Sequence, residues 1–473
     1  MSGTSPSKGV TRRGFLTAAV SAIVAGVVAG VGAYYAGTLS APVKEVTKTL
    51  TTTTTLAPGA PITTTVTETK TVTVSPTAAP VPKEPLKLGI ITQMSGIFAP
   101  SGIAGLRAAQ IWADEVNAAG GILGRKVELY VEDESEGVEK SVERFKKLTL
   151  VTGCEAIFGT ESTATGLAFG KLAEEMGQLW LSWDGTTQQG LEETLPKAKY
   201  SFRSIYNEAE AVAGAILTAK YFPDIKTIAG INDDYSYGRC CWEAYVTVLK
   251  HFKPEVQIVK ELWTKAGETD FTSQIAALKA AKPDLIMSSY WAGHATLFLQ
   301  QAAAVGLFKD IKGAMVTAGG VLPTLKKDFV PEGLLIGCNS WYFEWPLGWP
   351  LAKRFVKEYL RRYNEYPVYE CDHAYFTLQA YKRAVELAYS LKGAWPTKEE
   401  IAEQLRGIVV PSLSGYRGYR EDGYQICNFY QGLSKHDPKY DFVRLDPVDV
   451  ISADLMCHPP EVRFHDWIKS WRA

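Results

Sequence analysis

The stretch from residue 86 to residue 133 sets the pattern of the chain. Leu86–Ile91 is an apolar run, and a turn of small residues follows it (Ser95, Gly96, Pro100, Gly102). Apolar positions then recur at helical spacing (Leu106, Ala109, Trp112, Ala113, Val116), which predicts a helix over about 105–119 that stops at Gly120–Gly121. After Gly124–Arg125 a second strand is expected over Lys126–Val131. Strand, crossover helix and strand in so short a span make one βαβ unit of a parallel sheet. The same alternation predicts strands at 154–158, 179–182, 226–231, 256–262, 284–288 and 313–317. Helices are expected near 138–151, 164–176, 208–220, 237–251, 271–281, 294–305, 350–363, 373–391 and 397–405. The fold class is therefore α/β with parallel sheets.

A different pattern precedes this region. Arg12–Arg13 stand in "TRRGFL", a twin-arginine export signature. Gly14–Leu39 then runs for 26 residues without a formal charge. A secretory core needs only about 7–15 apolar residues and a membrane span about 20, so residues 1–40 read as a signal retained as an anchor, with the short N-terminus cytoplasmic. Residues 41–85 hold fifteen threonines between Thr47 and Thr77, with interspersed prolines. Such a segment has too little apolar surface to offset its ordering entropy, and it is expected to be a disordered stalk.

Composition narrows the function classes. Fifty basic and 51 acidic residues give a net charge of −1, so there is no basic field for nucleic acid. The seven cysteines form no CxxC, and their pairing is not legible from spacing. The six histidines lack metal spacing, so Cys457–His458 and His465 read as ordinary surface residues and no metal or cofactor is expected. GxGxxG after a strand, GxxxxGK[ST], HExxH and GxSxG are all missing, which argues against an enzyme.

Two loops carry candidate binding chemistry. Gly159-Thr160-Glu161-Ser162-Thr163 joins a strand to a helix start, where hydroxyls and free backbone N–H groups suit a carboxylate or polar head. Trp183-Asp184-Gly185-Thr186-Thr187 follows the next strand. Threonines on adjacent loops can clamp one carboxylate or amide.

The phrases "LKLGIITQMSG", "GIAGLRAAQIWADEVNAAGGILGRKVELYVEDES", "YSYGRCCWEAY", "AGETDFTSQIAALKAAKPDLIM", "HAYFTLQAYKRAVELA" and "GYRGYREDGYQICNFYQG" span about residues 86–430. They resemble the branched-chain amino-acid family of type I periplasmic solute-binding proteins. The resemblance implies two Rossmann-like lobes joined by three crossing segments, with lobe one at 86–205 plus 339–412 and lobe two at 206–338 plus 413–473. A ligand would lie in the cleft between them. By the same resemblance Thr163 and Thr186 supply ligand-binding hydroxyls and Asp184 a backbone carbonyl. Tyr237 closes over the ligand, Trp291 with Tyr290 beside it gives an aromatic wall, and Ser95 lines the first turn. Gly319 stands where amino-acid binders carry the acid that neutralises the ligand's ammonium, so Glu161 or Asp184 would replace it, or the ligand lacks an ammonium. Ser162 matches a cysteine of the family's usual disulfide. The implied role is a monomeric, membrane-tethered receptor for a small amino-acid-type ligand that serves an ABC permease. A receptor for short amides, urea or carboxylates, and a sensor ectodomain, are alternatives on the same fold.

Overall fold

The computed structural model describes residues 43–54, 62–73, 81–203, 207–456 and 458–471. The expected signal and anchor at 1–40 lie outside the described residues. Among those described, no helix is long and apolar enough to cross a membrane. The stalk differs from expectation in two stretches. Strands β1 (Val43–Thr54) and β2 (Ile62–Thr73) pair antiparallel from Val43↔Thr73 to Thr54↔Ile62. Threonine and valine favour extended backbone, which accounts for strands in a segment too polar to build a core.

Val81–Ala388 and Pro396–Ala473 form a separate compact unit that holds two parallel sheets. The first contains β3 (Leu86–Thr92), β4 (Val127–Asp133), β5 (Ala156–Gly159), β6 (Leu179–Ser182) and β7 (Ser201–Arg203), ordered β4-β3-β5-β6-β7 with every pairing parallel. Leu88, Ile90 and Ile91 of β3 are all fully buried, so both faces of this strand are covered and its sequence reads as an unbroken apolar run. The helix after β3 spans Ala99–Ala118 and starts six residues before the expected Gly105. Pro100 fits its first turn, where a missing N–H costs nothing. Its small residues serve close packing instead of a turn: a Cβ on Gly102 would lie 2.1 Å from the Gln93 carbonyl oxygen.

The second sheet is built from β8 (Thr227–Asp233), β9 (Gln257–Thr264), β10 (Leu285–Ser288), β11 (Lys312–Met315) and β12 (Leu335–Gly337). A small antiparallel sheet, β13 (Val409–Ser412), β14 (Gly415–Tyr419) and β15 (Gln425–Ile426), follows in the chain. The chain then returns to the second sheet as β16 (Phe429–Lys435) and β17 (Arg444–Ile451), giving the order β17-β16-β12-β11-β10-β8-β9. β16 pairs antiparallel with both β12 and β17. The expected lobe boundary at 412/413 falls inside the small sheet, which is joined to β7 by a bridge between Arg203 and Tyr424. The third crossing thus comes after Ile426.

The second and third crossings run side by side. Cys338 N donates to Tyr430 O at 2.8 Å, and Tyr430 N donates to Asn339 O at 2.7 Å. Beneath them the buried carboxylate of Asp372 accepts from Ser340 Oγ at 2.8 Å and Ser414 N at 3.0 Å, and pairs with Arg417 Nη1 at 2.6 Å. One side chain therefore ties the second crossing and the small antiparallel sheet to the long helix Tyr369–Lys392.

The C-terminal segment carries short helices Ala453–Met456 and Phe464–Lys469. Its histidines are not surface residues. His458 is 3 % exposed and its Nε2 lies 3.3 Å from Glu192, while His465 Nδ1 lies 3.4 Å from Glu243. At the chain end, Trp471 packs edge-on against His251 and Phe252 at the end of helix Ser236–Phe252. The segment thus touches helix Gln188–Thr194 of the first lobe and helix Ser236–Phe252 of the second. Cys154, Cys240, Cys338 and Cys371 are buried free thiols.

Candidate functional site

The helix start expected to receive a ligand carboxylate already holds one from the protein. Glu134, at the end of β4 and 1 % exposed, accepts hydrogen bonds from Glu161 N at 2.7 Å, Ser162 N at 2.9 Å and Thr160 Oγ1 at 2.9 Å. These N–H groups head helix Thr163–Met176, where the dipole favours an anion. Burial still outweighs those bonds and pushes the Glu134 carboxyl up to about 7. Ser162 is the N-cap of this helix, without a side-chain cap bond.

Beside this helix start both lobes wall a small cavity. The first lobe supplies Glu161, Thr163, Asp184 and Tyr369, and the second supplies Glu210, Tyr235, Tyr237 and Trp291. Five of the eleven residues expected from the sequence meet here: Glu161, Thr163, Asp184, Tyr237 and Trp291. The two-threonine clamp does not form. Thr186 is fully buried, and its hydroxyl donates to Gly185 O at 2.7 Å instead of facing the cavity. With φ +61° it holds a left-handed conformation that is costly for a β-branched residue. The Asp184 backbone carbonyl, the group expected to meet the ligand, accepts from Ser182 Oγ within its own lobe. One carboxylate oxygen takes Gly185 N at 2.8 Å.

The aromatic wall is also rearranged. Tyr237 donates to Ser289 O at 3.1 Å, and Trp291 Nε1 donates to the hydroxyl of Tyr235 at 3.1 Å. Tyr290 points away into the lobe core, where its hydroxyl lies 2.6 Å from Thr264 Oγ1 and its ring meets Phe271 and Phe298. Successive residues beside a strand end face opposite ways, so only one of the Tyr290–Trp291 pair can reach the cleft. Ser95 is exposed at the rim and bonded to Ser135.

An acid from another element lies next to the Gly319 segment. Gly319 sits in the short helix Ala318–Thr324, and a Cβ there would lie 2.4 Å from both Cys338 Sγ and Gly337 O, so no side chain fits. A Cβ on the next residue, Gly320, would meet Glu370 Oε1 at 2.4 Å and the Tyr369 hydroxyl at 3.0 Å. Glu370, on the first turn of helix Tyr369–Lys392, thus brings a carboxylate beside Gly320. Its Oε1 accepts from Ser101 Oγ at 2.9 Å.

Four carboxyls converge in this region, Glu161, Asp184, Glu210 and Glu370, each no more than 7 % exposed. Burial pushes all four upward, and mutual repulsion adds to it: Asp184 acts on Glu161 and Glu210, and Glu370 on Asp184 and Glu210. Glu161 Oε1 accepts from Thr92 Oγ1 at 2.8 Å and Trp183 Nε1 at 2.9 Å. Glu161 Oε2, Glu210 Oε1 and Glu370 Oε2 are buried and accept no well-aligned hydrogen bond from the described residues. The nearest buried cation, Arg203, lowers Asp184 but spends its Nη groups on Gln188 and the Thr186 carbonyl. Glu134, Glu210, Tyr235, Tyr369 and Glu370 were not among the sequence candidates. Glu210 and Glu370 lie in first helical turns, where an acid reads as ordinary dipole compensation.

At the cleft mouth the lobes touch. Phe98 stacks on Trp291, and Gly293 N donates to Ile97 O at 2.9 Å. Deeper in, the Tyr369 hydroxyl donates to Thr317 O at 3.3 Å.

A family model described as periplasmic binding protein matches residues 85–431. The Leu/Ile/Val-binding protein homolog 7 of Brucella suis biovar 1 (strain 1330) is 29 % identical over 249 residues, 51 % of this chain and 60 % of the relative. The match thus spans less than two thirds of that relative's length. A solute-binding protein of an ABC transporter from Rhodopseudomonas palustris BisB5, solved with 3,4-dihydroxybenzoic acid, superposes with TM-score 0.69 at 19 % identity, covering 80 % of this chain and 99 % of that one. A branched-chain amino-acid transporter substrate-binding protein from Streptococcus pneumoniae, solved with isoleucine, gives TM-score 0.63 at 19 % identity, covering 78 % and 99 %. These structures share the two-lobed fold, and with the family match over most of its length the chain belongs to the periplasmic binding protein family.

Proposed function

We propose that this protein is an extracytoplasmic receptor that captures a small polar solute of the amino-acid type between its lobes and delivers it, chemically unchanged, to an ABC permease. The observation that carries this reading is a cavity walled half by each lobe. A solute seated there contacts both halves only when they close, so binding and closure are one event. In this reading Gly14–Leu39 anchors the monomer, residues 41–85 space it from the membrane, and tethering raises its effective concentration at the permease. A sensor ectodomain acting through a partner would use the same closure.

Thermal melting of the full-length chain with a panel of amino acids, amides, amines and carboxylates, paired with small-angle scattering, tests the proposal. A binder at about one hundred times its Kd raises stability by about 2.7 kcal/mol and reduces the radius of gyration. A panel with neither effect removes the receptor reading.

A further inference from the structure

Resting on that reading, we infer that the solute is an organic cation of the aliphatic amine class, held between Glu210 of one lobe and Glu161 and Asp184 of the other, with the charge of Glu370 behind them. The placement of charge carries the argument. Three buried carboxylate oxygens, Glu161 Oε2, Glu210 Oε1 and Glu370 Oε2, accept no well-aligned hydrogen bond from the described residues, although the Asp184 carboxyl lies within reach of Glu161. An unpaired buried acceptor costs free energy until something donates to it, and an ammonium donates three hydrogen bonds while supplying the charge. The remaining walls, Tyr235, Tyr237, Trp291 and Tyr369, offer π faces that attract cations and accommodate methylene groups.

For a carboxylate on the solute the cavity offers the Thr163 hydroxyl and little else. The N–H groups of Glu161 and Ser162 are taken by Glu134, and the two Nη groups of Arg203 by Gln188 and the Thr186 carbonyl. An anion would face four acids. Closure has the same requirement: it brings Glu210 toward Asp184 and Glu370, which repel it in a site that excludes water. Protons can relieve that repulsion in the empty protein. A cation relieves it better and displaces them, acting as the counter-ion that lets the lobes meet. The groups that face these acids are Glu134 beside Glu161, Arg203 beside Asp184, the hydroxyls of Tyr235, Tyr237 and Tyr369, and the buried His373, which burial holds well below its usual range and hence neutral.

Calorimetric titration of the full chain with 1,4-diaminobutane, isoleucine and benzoate decides the matter, run at pH 7.5 in two buffers of different ionisation enthalpy. The expected result is binding of the diamine at least tenfold tighter than isoleucine, no benzoate binding, and proton release into the buffer. Glu210→Gln and Glu370→Gln, each checked for an unchanged melting temperature, should weaken diamine binding at least tenfold and reduce the protons released. Isoleucine or benzoate binding in preference to the diamine overturns the ligand class and leaves the receptor reading standing. Diamine binding unchanged in both variants overturns the assigned site. Absence of binding by all three probes, together with no compaction in scattering, removes both.

Discussion

The indole of Trp291 lies against the ring of Phe98 with centroids 4.4 Å apart and planes 14° from parallel, although the two residues belong to opposite lobes. The stack exists only while the lobes are shut. Aromatic pairs contribute about 0.5–1.5 kcal/mol beyond their burial. Phe98→Ala should therefore weaken solute binding by about 2- to 12-fold, mainly through faster release, without lowering the melting temperature of the empty protein. Stopped-flow dissociation measures this; an unchanged release rate would mean that the stack does not hold the cleft shut.

Gly293 approaches the other lobe more closely still. A Cβ at this position would stand 2.6 Å from both Ile97 Cγ1 and the Ile97 carbonyl oxygen. Gly293→Val should wedge the mouth open, giving a larger radius of gyration by scattering and roughly tenfold or greater loss of affinity at near-normal stability. A variant that closes normally would show that the mouth can yield elsewhere.

Stability should fall as pH rises through neutrality. The Glu134 carboxyl is raised from 4.5 to about 7 in the folded protein, so the folded state binds more protons than the unfolded chain between those values. Its contribution is fully present below about pH 4.5 and lost as pH rises through about 7, an effect on the order of 3 kcal/mol. The cleft acids shift in the same direction and add to the slope. Urea unfolding at pH 5 and pH 8 should show the loss, and Glu134→Gln should shrink it. A flat wild-type profile would contradict the assignment.

Removing one partner of the buried Asp372–Arg417 pair should be severe. Asp372→Ala takes the carboxylate from a guanidinium that is 1 % exposed and frees the second crossing from the small sheet. A cost of about 3–5 kcal/mol is expected in denaturant unfolding, against ~1 kcal/mol for an exposed pair such as Lys140–Glu143.

Most of the parallel architecture was legible because its strands and helices carry uninterrupted periodic patterns, as in Leu86–Thr92 and Pro350–Tyr363. The three-residue strands β7 and β12 were not, because so few positions carry no period. Within the site, Glu161, Thr163, Asp184, Tyr237 and Trp291 were found because each sits at a strand end, where open α/β sheets gather ligands. Glu370 escaped because its helix starts at Tyr369, four residues before the apolar pattern becomes helical. The space it fills beside Gly320 is a relation between segments fifty residues apart, and local spacing does not encode that. Glu134 escaped for the same reason: nothing near it in sequence shows that it caps the helix after the next strand.

The C-terminal segment bears His458 against one lobe and Trp471 against the other, so the end of the chain straps the molecule along one flank. Separation is restrained there, whereas at the mouth Ile97 and Phe98 meet Trp291 and Gly293 through one ring stack and one hydrogen bond. On the proposed reading, a partner that tells a loaded receptor from an empty one has little to read beside the strap. It would read the outline of the mouth, which changes from two separate edges to one continuous surface when the lobes shut.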